Sequence, residues 1–404
     1  MEKNKNVPKL RFPEFKGEWE EKKLGEIAEK RILKNNNSHF KNVFTNSAVH
    51  GIINQRDFFD KDIANQDNIN GYYIVEKDDF VYNPRISTSA PVGPISRNKF
   101  GTGVMSPLYS VFRFKKGNLD FIEWFFRTTY WHRHMEDIAN YGARADRMSF
   151  AISDFYKMPV PDPVPKEQTK IATFLTAVDE KLTQLKKKKA LLEKYKKGVM
   201  QKLFSQELRF KDDNNQDFPD WQELPLDKTA DIVGGGTPDT SNELLWNGNI
   251  QWFTPTELKF KYVKFSNRNI TDEGLKQSSA KLLPAGTVLF SSRATIGDAS
   301  ITLKECATNQ GFQSFVVGDN LYNEYLYYWI INNKNVFLMK ASGSTFLEIS
   351  KNEVAKINIE LPSLPEQQKI ANFLSAIDEK ISHCGKQIEK MEAWKKGLLQ
   401  QIFC

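Results

Sequence analysis

Apolar residues recur at steps of four and three through two stretches of the chain. In the first they fall at Val178, Leu182, Leu185, Leu192, Val199 and Leu203, with Lys189 and Lys196 filling the remaining places. In the second they fall at Ile377, Ile381, Cys384, Ile388, Met391, Leu398 and Ile402, with Lys395 in the series. This spacing keeps one stripe facing one partner, so each stretch predicts a long helix with a coiled-coil seam of about four heptads. Pro165 and Pro365 stand before the seams, with Glu167 and Glu366 in the first turns. A fixed φ and a negative charge both suit a helix N-terminus. Elsewhere short β-like runs (VYNPR, LYSVFRF, GTVLF, FQSFVV) alternate with Gly, Asn and Pro turns and with helical patterns at 121–138 and 321–339. The fold class this predicts is α+β.

The chain repeats itself once. Residues 171–204 align without a gap on 370–403 at an offset of 199, with 15 of 34 pairs identical. Weaker matches precede each copy: Leu10-Arg11-Phe12 with Leu208-Arg209-Phe210, FVYNPR (80–85) with VLFSSR (288–293), PVGPIS (91–96) with TIGDAS (295–300), and 140–150 with 340–350. The ends of each half are shared and the centres diverge, which suggests two modules doing one job on two targets. A parallel helix pair would set Lys196 beside Lys395. An antiparallel pair sets each seam lysine against an apolar neighbour, with its ammonium sent to water. Antiparallel pairing is therefore expected, with the two modules at opposite ends of a rod of about 50 Å, or roughly 15 base pairs of duplex.

Composition narrows the classes. The 404 residues carry a formal charge of +7, which permits nucleic-acid binding without requiring it. No apolar run suits a membrane span and the start lacks a signal-peptide pattern, so the cytoplasm is expected. Cys306, Cys384 and Cys404 lack metal-ligand spacing, and His132 and His134 would lie on different helix faces, so no metal site is expected. There is no Walker A loop. GGGTP (234–238) lacks its lysine and reads as a turn. Asn83-Pro84-Arg85 lacks the second proline and the aromatic of the adenine-methyltransferase motif. No catalytic centre is expected. The rival readings are a free-standing methyltransferase or nuclease and a coiled-coil protein that never touches DNA.

Base edges are read by Arg, Lys, Asn, Gln, Ser and Thr. The first half offers Asn83, Arg85, Arg97, Lys99, Arg144 and Arg147. The second offers Thr237, Lys259, Lys261, Arg268, Arg293, Asn309, Gln310, Gln313, Ser344 and Thr345. The lysine-rich run KLTQLKKKKALLEKYKKG reads first as a solvated helix face or a partner surface, and second as a phosphate contact.

LPSLPEQQKIANFLSAIDEKI (361–381), its first copy at 160–182, and GGGTPDTSNELLWNGNIQWFTPTEL (234–258) resemble the specificity subunits of Type I restriction–modification systems. The first half has no GGTP…W…W counterpart. The resemblance implies two target recognition domains, at 1–160 and 207–361. Two conserved helical regions, at 161–206 and 362–404, would form an antiparallel coiled coil. It implies a non-catalytic subunit that reads a bipartite, asymmetric double-stranded DNA target. Two modification subunits would bring S-adenosylmethionine to methylate adenine at N6, and two restriction subunits would use ATP and Mg to translocate and cut. The alternative is the specificity subunit of a related methyltransferase without a nuclease. The loop at Gly142–Arg147 and its partner at Ser342–Thr345 become implied DNA contacts.

Overall fold

The computed structural model describes residues 6–55, 69–140, 146–343 and 347–404. Contacts divide the chain into two units: Met1–Lys186 with Gln387–Cys404, and Lys187–Lys386. Each long helix, Pro165–Phe204 and Leu364–Ile402, is therefore shared between the two.

The first unit is built on a four-stranded antiparallel sheet in the order Ala28–Lys30, Ser110–Phe114, Phe80–Tyr82, Ile95–Arg97. Phe80–Tyr82 is buried on both faces, as an uninterrupted apolar run requires. Helix Leu119–Phe126 starts at Asn118, whose side chain accepts from the backbone N–H of Asp120 and Phe121, both at 3.0 Å. The expected helix at 121–138 is two helices, because Thr128 Oγ1 turns back onto Phe125 O (2.7 Å) and His132–Ile138 starts afresh. The 321–339 pattern likewise divides into Asn323–Asn332 and Lys334–Lys340.

The second unit repeats this frame. Ala230–Gly234, Gln313–Val317, Val288–Phe290 and Ala299–Thr302 follow in the same order, with a fifth strand, Tyr262–Val263, added parallel to the last. Registers match: Phe80 faces Arg97 and Tyr82 faces Ile95, as Val288 faces Ile301 and Phe290 faces Ala299. Glu20–Lys23 pairs with Pro159–Asp162 as Gln222–Pro225 pairs with Asn358–Leu361. The inserts differ. The first unit carries hairpin Phe44–Ser47/Gly51–Asn54 and the pair Tyr73–Val75/Gly103–Met105. The second carries a three-stranded sheet around Trp246–Phe253.

The polar contacts at the helix starts are duplicated too. Arg11 binds buried Glu167 through Nε (2.7 Å) and Nη2 (2.8 Å), and Arg209 binds buried Glu366 through Nε (3.1 Å) and Nη2 (2.9 Å). The two glutamates thus hold an arginine as well as meeting the helix dipole.

Both units show the long helices antiparallel. In the first unit Asp179 meets Lys395 and Lys186 meets Glu392 (2.6 Å), so one number rises as the other falls. In the second, Lys196 Nζ meets Asp378 (2.6 Å), and Leu203 shares a core with Ile370, Ala371 and Leu374. Of the seam residues, Val178, Leu182, Leu185, Leu203, Ile377, Cys384, Leu398 and Ile402 are buried, while Leu192, Val199, Ile381, Ile388 and Met391 are half-buried.

One expectation is overturned here. The ammonium groups of Lys196 and Lys395 do not run out to water. Lys196 is 18% exposed, paired with Asp378 and set over the Tyr328 ring (5.0 Å). Lys395 pairs with Asp179 and lies over the Trp124 ring (5.0 Å). Each pair repeats the other at the offset of the duplication, so helix pairing uses charge as well as burial. Burial pushes the Asp179 carboxyl up, but Lys395 and Arg127 outweigh it and hold the group below the ordinary aspartate value. A depressed folded value contributes stability above the unfolded pKa and loses it as pH falls through the folded one. The melting temperature should therefore fall as pH drops below roughly 4. In thermal melts across that range Asp179→Asn should flatten the slope, and an unchanged slope would remove this pair from the acid response.

Candidate nucleic-acid interface

In the second unit strand Ala230–Gly234 runs on into Gly235–Pro238, which lies against Thr308–Gln310. Gly236 N donates to Thr308 O (2.8 Å), and Trp252 Nε1 donates to Gly236 O (2.9 Å). The GGGTP stretch is thus an extended, closely packed continuation and not the expected turn. Trp246 braces it from beyond, edge-on to Trp252 at 5.0 Å and donating to Asp239 O (3.0 Å).

This packing brings Thr237, Asn309 and Gln310 together. Thr237 Oγ1 donates to Gln310 Oε1 (2.5 Å), and Asn309 Oδ1 accepts from Gly311 N (2.9 Å). Gln313 opens strand Gln313–Val317 opposite Gly234, and its Oε1 is buried and without a hydrogen-bond partner. Arg293 joins this end through Ser292, whose N–H donates to Gly311 O (2.8 Å), and its guanidinium pairs with Glu348 (2.8 Å). Arg268 is exposed and stacks 3.5 Å over the Trp246 ring, a platform that leaves one guanidinium face outward. Lys259 is exposed. Lys261 is not at this end in the sense the sequence suggested. It is 12% exposed, and its ammonium is bound by Glu324 (2.6 Å) and Ser375 (2.6 Å). Burial pushes the Glu324 carboxyl up, but bonds from Lys261, Tyr262 and Ser375 more than compensate and leave it below its ordinary value.

In the first unit Arg85 is 69% exposed and its backbone bridges to Arg147, with Asp146 near both guanidinium groups at 3.8 and 3.9 Å. The corresponding bridge in the second unit joins Arg293 to Glu348. Asn83 is turned inward, donating to Asn46 O (2.8 Å) and accepting from Arg85 N (3.0 Å). Arg97 is committed to Asp78 (2.6 Å) and Asp120 (2.7 Å), and Lys99 to Glu123 (2.9 Å). Arg144, Ser344 and Thr345 lie outside the described residues.

Sequence reasoning missed Trp246 and Trp252 as the braces of the loop, though their spacing after GGGTP was visible. It also missed Lys264 and Lys304, which stand over the exposed Phe265 ring at 5.5 and 4.9 Å. Among the described residues no group of three or more His, Cys, Asp or Glu side chains could hold a metal ion. No described helix is long and apolar enough to cross a membrane.

Residues 16–194 and 219–393 both match the family described as Type I restriction modification DNA specificity domain. The chain belongs to that family. Two matches, one per repeat, give this specificity-domain protein its tandem architecture. It is 36% identical over 206 residues to the Type I restriction enzyme MjaIX specificity subunit of Methanocaldococcus jannaschii, covering 50% of this chain and 48% of that one. It is 31% identical over 152 residues to the EcoR124I/EcoR124II specificity subunit of Escherichia coli, covering 36% and 38%. The chain thus spans half or less of these curated relatives. The HsdS subunit of Thermoanaerobacter tengcongensis shares the fold over 95% of this chain and 96% of that one, with a TM-score of 0.53 at 17% identity. The Type I S subunit of M. genitalium does so over 98% and 99%, with a TM-score of 0.57 at 15% identity.

Proposed function

We propose that this chain is the DNA-reading subunit of a Type I restriction–modification complex, without a catalytic centre of its own. The observation that carries this reading is one sheet-and-helix frame built twice, with unlike inserts at the loop ends and paired helices shared by both units. Each loop end reads one part of a bipartite, asymmetric duplex target, and the helices fix the unread gap. Thr237, Asn309, Gln310, Gln313, Arg268 and Arg293 serve the second part, with Lys259, Lys264 and Lys304 available for phosphates. Arg85 and Arg147 serve the first. Modification subunits dock and supply S-adenosylmethionine for N6-adenine methylation. Restriction subunits supply ATP- and Mg-dependent translocation and cutting.

Exchanging residues 1–160 for the matching segment of another member should change one part of the methylated motif and leave the other intact. Genome-wide mapping of N6-methyladenine reads this directly. Change in both parts, or in neither, would defeat the modular reading.

A further inference from the structure

Between strands Tyr262–Val263 and Arg268–Ile270 the second unit crosses over in residues 264–267 and holds out a phenyl ring. Phe265 is 67% exposed. The backbone that carries it is fixed on both sides. Ahead of it, Leu303 N donates to Val263 O (2.9 Å). Behind it, Ser266 N donates to Gln251 Oε1 (2.7 Å), and Ser266 Oγ donates to Arg268 O (2.7 Å) and accepts from Trp252 N (2.9 Å). Asn267 N donates to Glu257 Oε1 (2.6 Å). A ring presented this way has little freedom left to lose on contact.

The same bonds tie the ring to the loop end described above. The other oxygen of Glu257 accepts from Thr254 N (2.7 Å), and Phe253 O, one residue earlier, accepts from Asn309 N (3.1 Å). Three residues beyond the ring, Arg268 stacks on Trp246.

The ring also lies between two cations. Lys264 Nζ and Lys304 Nζ stand 5.5 and 4.9 Å from its centroid, and both side chains are exposed. Neither ammonium pairs with a carboxylate among the described residues, whereas the nearby Lys261 is committed to Glu324. Unpaired cations beside an apolar ring suit a polyanion with an apolar interior, which is what duplex DNA offers. A protein surface suits them less, because lysine is depleted from such interfaces. The minor groove is about 6 Å wide, so two ammonium groups at most about 10 Å apart can reach phosphates on both its walls with the ring between them.

We propose that Phe265 is a wedge that enters the minor groove and unstacks one base step of the target, while Lys264 and Lys304 neutralise the phosphates on either side. The inference rests on the DNA-reading function proposed above and adds a second source of discrimination to it. Pyrimidine–purine steps unstack most easily, so the wedge favours such a step without touching a base edge.

The test uses the full chain assembled with its modification subunits and a duplex carrying the methylated motif, with 2-aminopurine placed singly at each position across it. Unstacking brightens this base. One step should brighten on binding. Phe265→Ala should abolish that signal and weaken binding at least roughly tenfold, while Phe265→Leu, still an apolar wedge, keeps both. A probe at the methylated adenine, which methyltransferases extrude, is the internal control and should brighten in every variant. Lys264→Gln and Lys304→Gln should each take about 1 from the slope of log affinity against log salt and leave the bright step in place. The ring is mostly in water, so circular dichroism should show every variant folded. Brightening that persists in Phe265→Ala, or no bright step apart from the methylated adenine, would overturn the wedge and leave the DNA-reading function standing. A parent complex that binds the motif no better than a scrambled duplex would overturn both. Loss of a modification subunit from the Phe265→Ala complex would assign the ring to a protein interface and overturn the wedge.

Discussion

Replacing Arg209 with Ala should destabilise the second unit by about 3–5 kcal/mol, the cost of stranding a buried carboxylate. Glu366 has no exposed side-chain surface and accepts from Arg209 twice and from Trp221 Nε1 (3.1 Å). With the guanidinium gone, the indole N–H alone remains of these side-chain donors. The double change Arg209→Met, Glu366→Leu removes both charges and should restore most of the loss, because replacing a whole buried pair is far cheaper than halving it. Denaturant unfolding followed by far-ultraviolet circular dichroism measures both. A single variant within about 0.5 kcal/mol of the parent would mean that the carboxylate finds water or protonates at little expense.

Gly235→Ala should disrupt the second loop end. A Cβ there would stand 2.0 Å from Asn309 O and 2.4 Å from Thr308 O, both backbone atoms, the second at the end of strand Cys306–Thr308 and the first in a residue whose N–H is bonded to Phe253 O (3.1 Å). Gly236 is as constrained, with its Cβ 2.2 Å from Ser279 Oγ and 2.3 Å from Ala280 N. Where the backbone tolerates it, Gly→Ala stabilises by about 0.4–1 kcal/mol. Here the sign should reverse, and the shift of the segment should break the Thr237–Gln310 bond. Gly198→Ala is the control: that glycine is inside a long helix with nothing within 4 Å of a Cβ. It should gain about 1 kcal/mol. On the proposed function, Gly235→Ala also erases discrimination in one part of the target and spares the other. Equal melting temperatures for the two variants would defeat the packing argument.

What the sequence disclosed follows from periodicity. The helix seams step by four and three, and Phe80–Tyr82 and Val288–Phe290 are apolar runs buried on both faces, so helices, strands and their duplication could be read directly. The partners of charged residues could not. Asp179 and Asp378 sit beside the seam and not in it, so nothing in the pattern announced that they would take Lys395 and Lys196. Arg97 and Lys261 are chemically suited to DNA, yet each turns to a carboxylate on a helix: Asp120, and Glu324 some 63 residues away. Residue type gives the capacity for a contact, while the fold decides which capacity is already used.

The division of the helices has a consequence for the order in which the molecule is made. The second unit is one continuous stretch, Lys187–Lys386, whereas the first needs residues 387–404, with Leu398, Ile402 and Phe403 packed into the core of Trp19, Phe121 and Trp131. During synthesis the amino-terminal core must therefore wait, with an apolar gap unfilled, until the whole of the other unit has been translated. Its closing contacts are of very long sequence separation, which slows folding and prolongs exposure to aggregation. The first unit to emerge from the ribosome should be the last to finish.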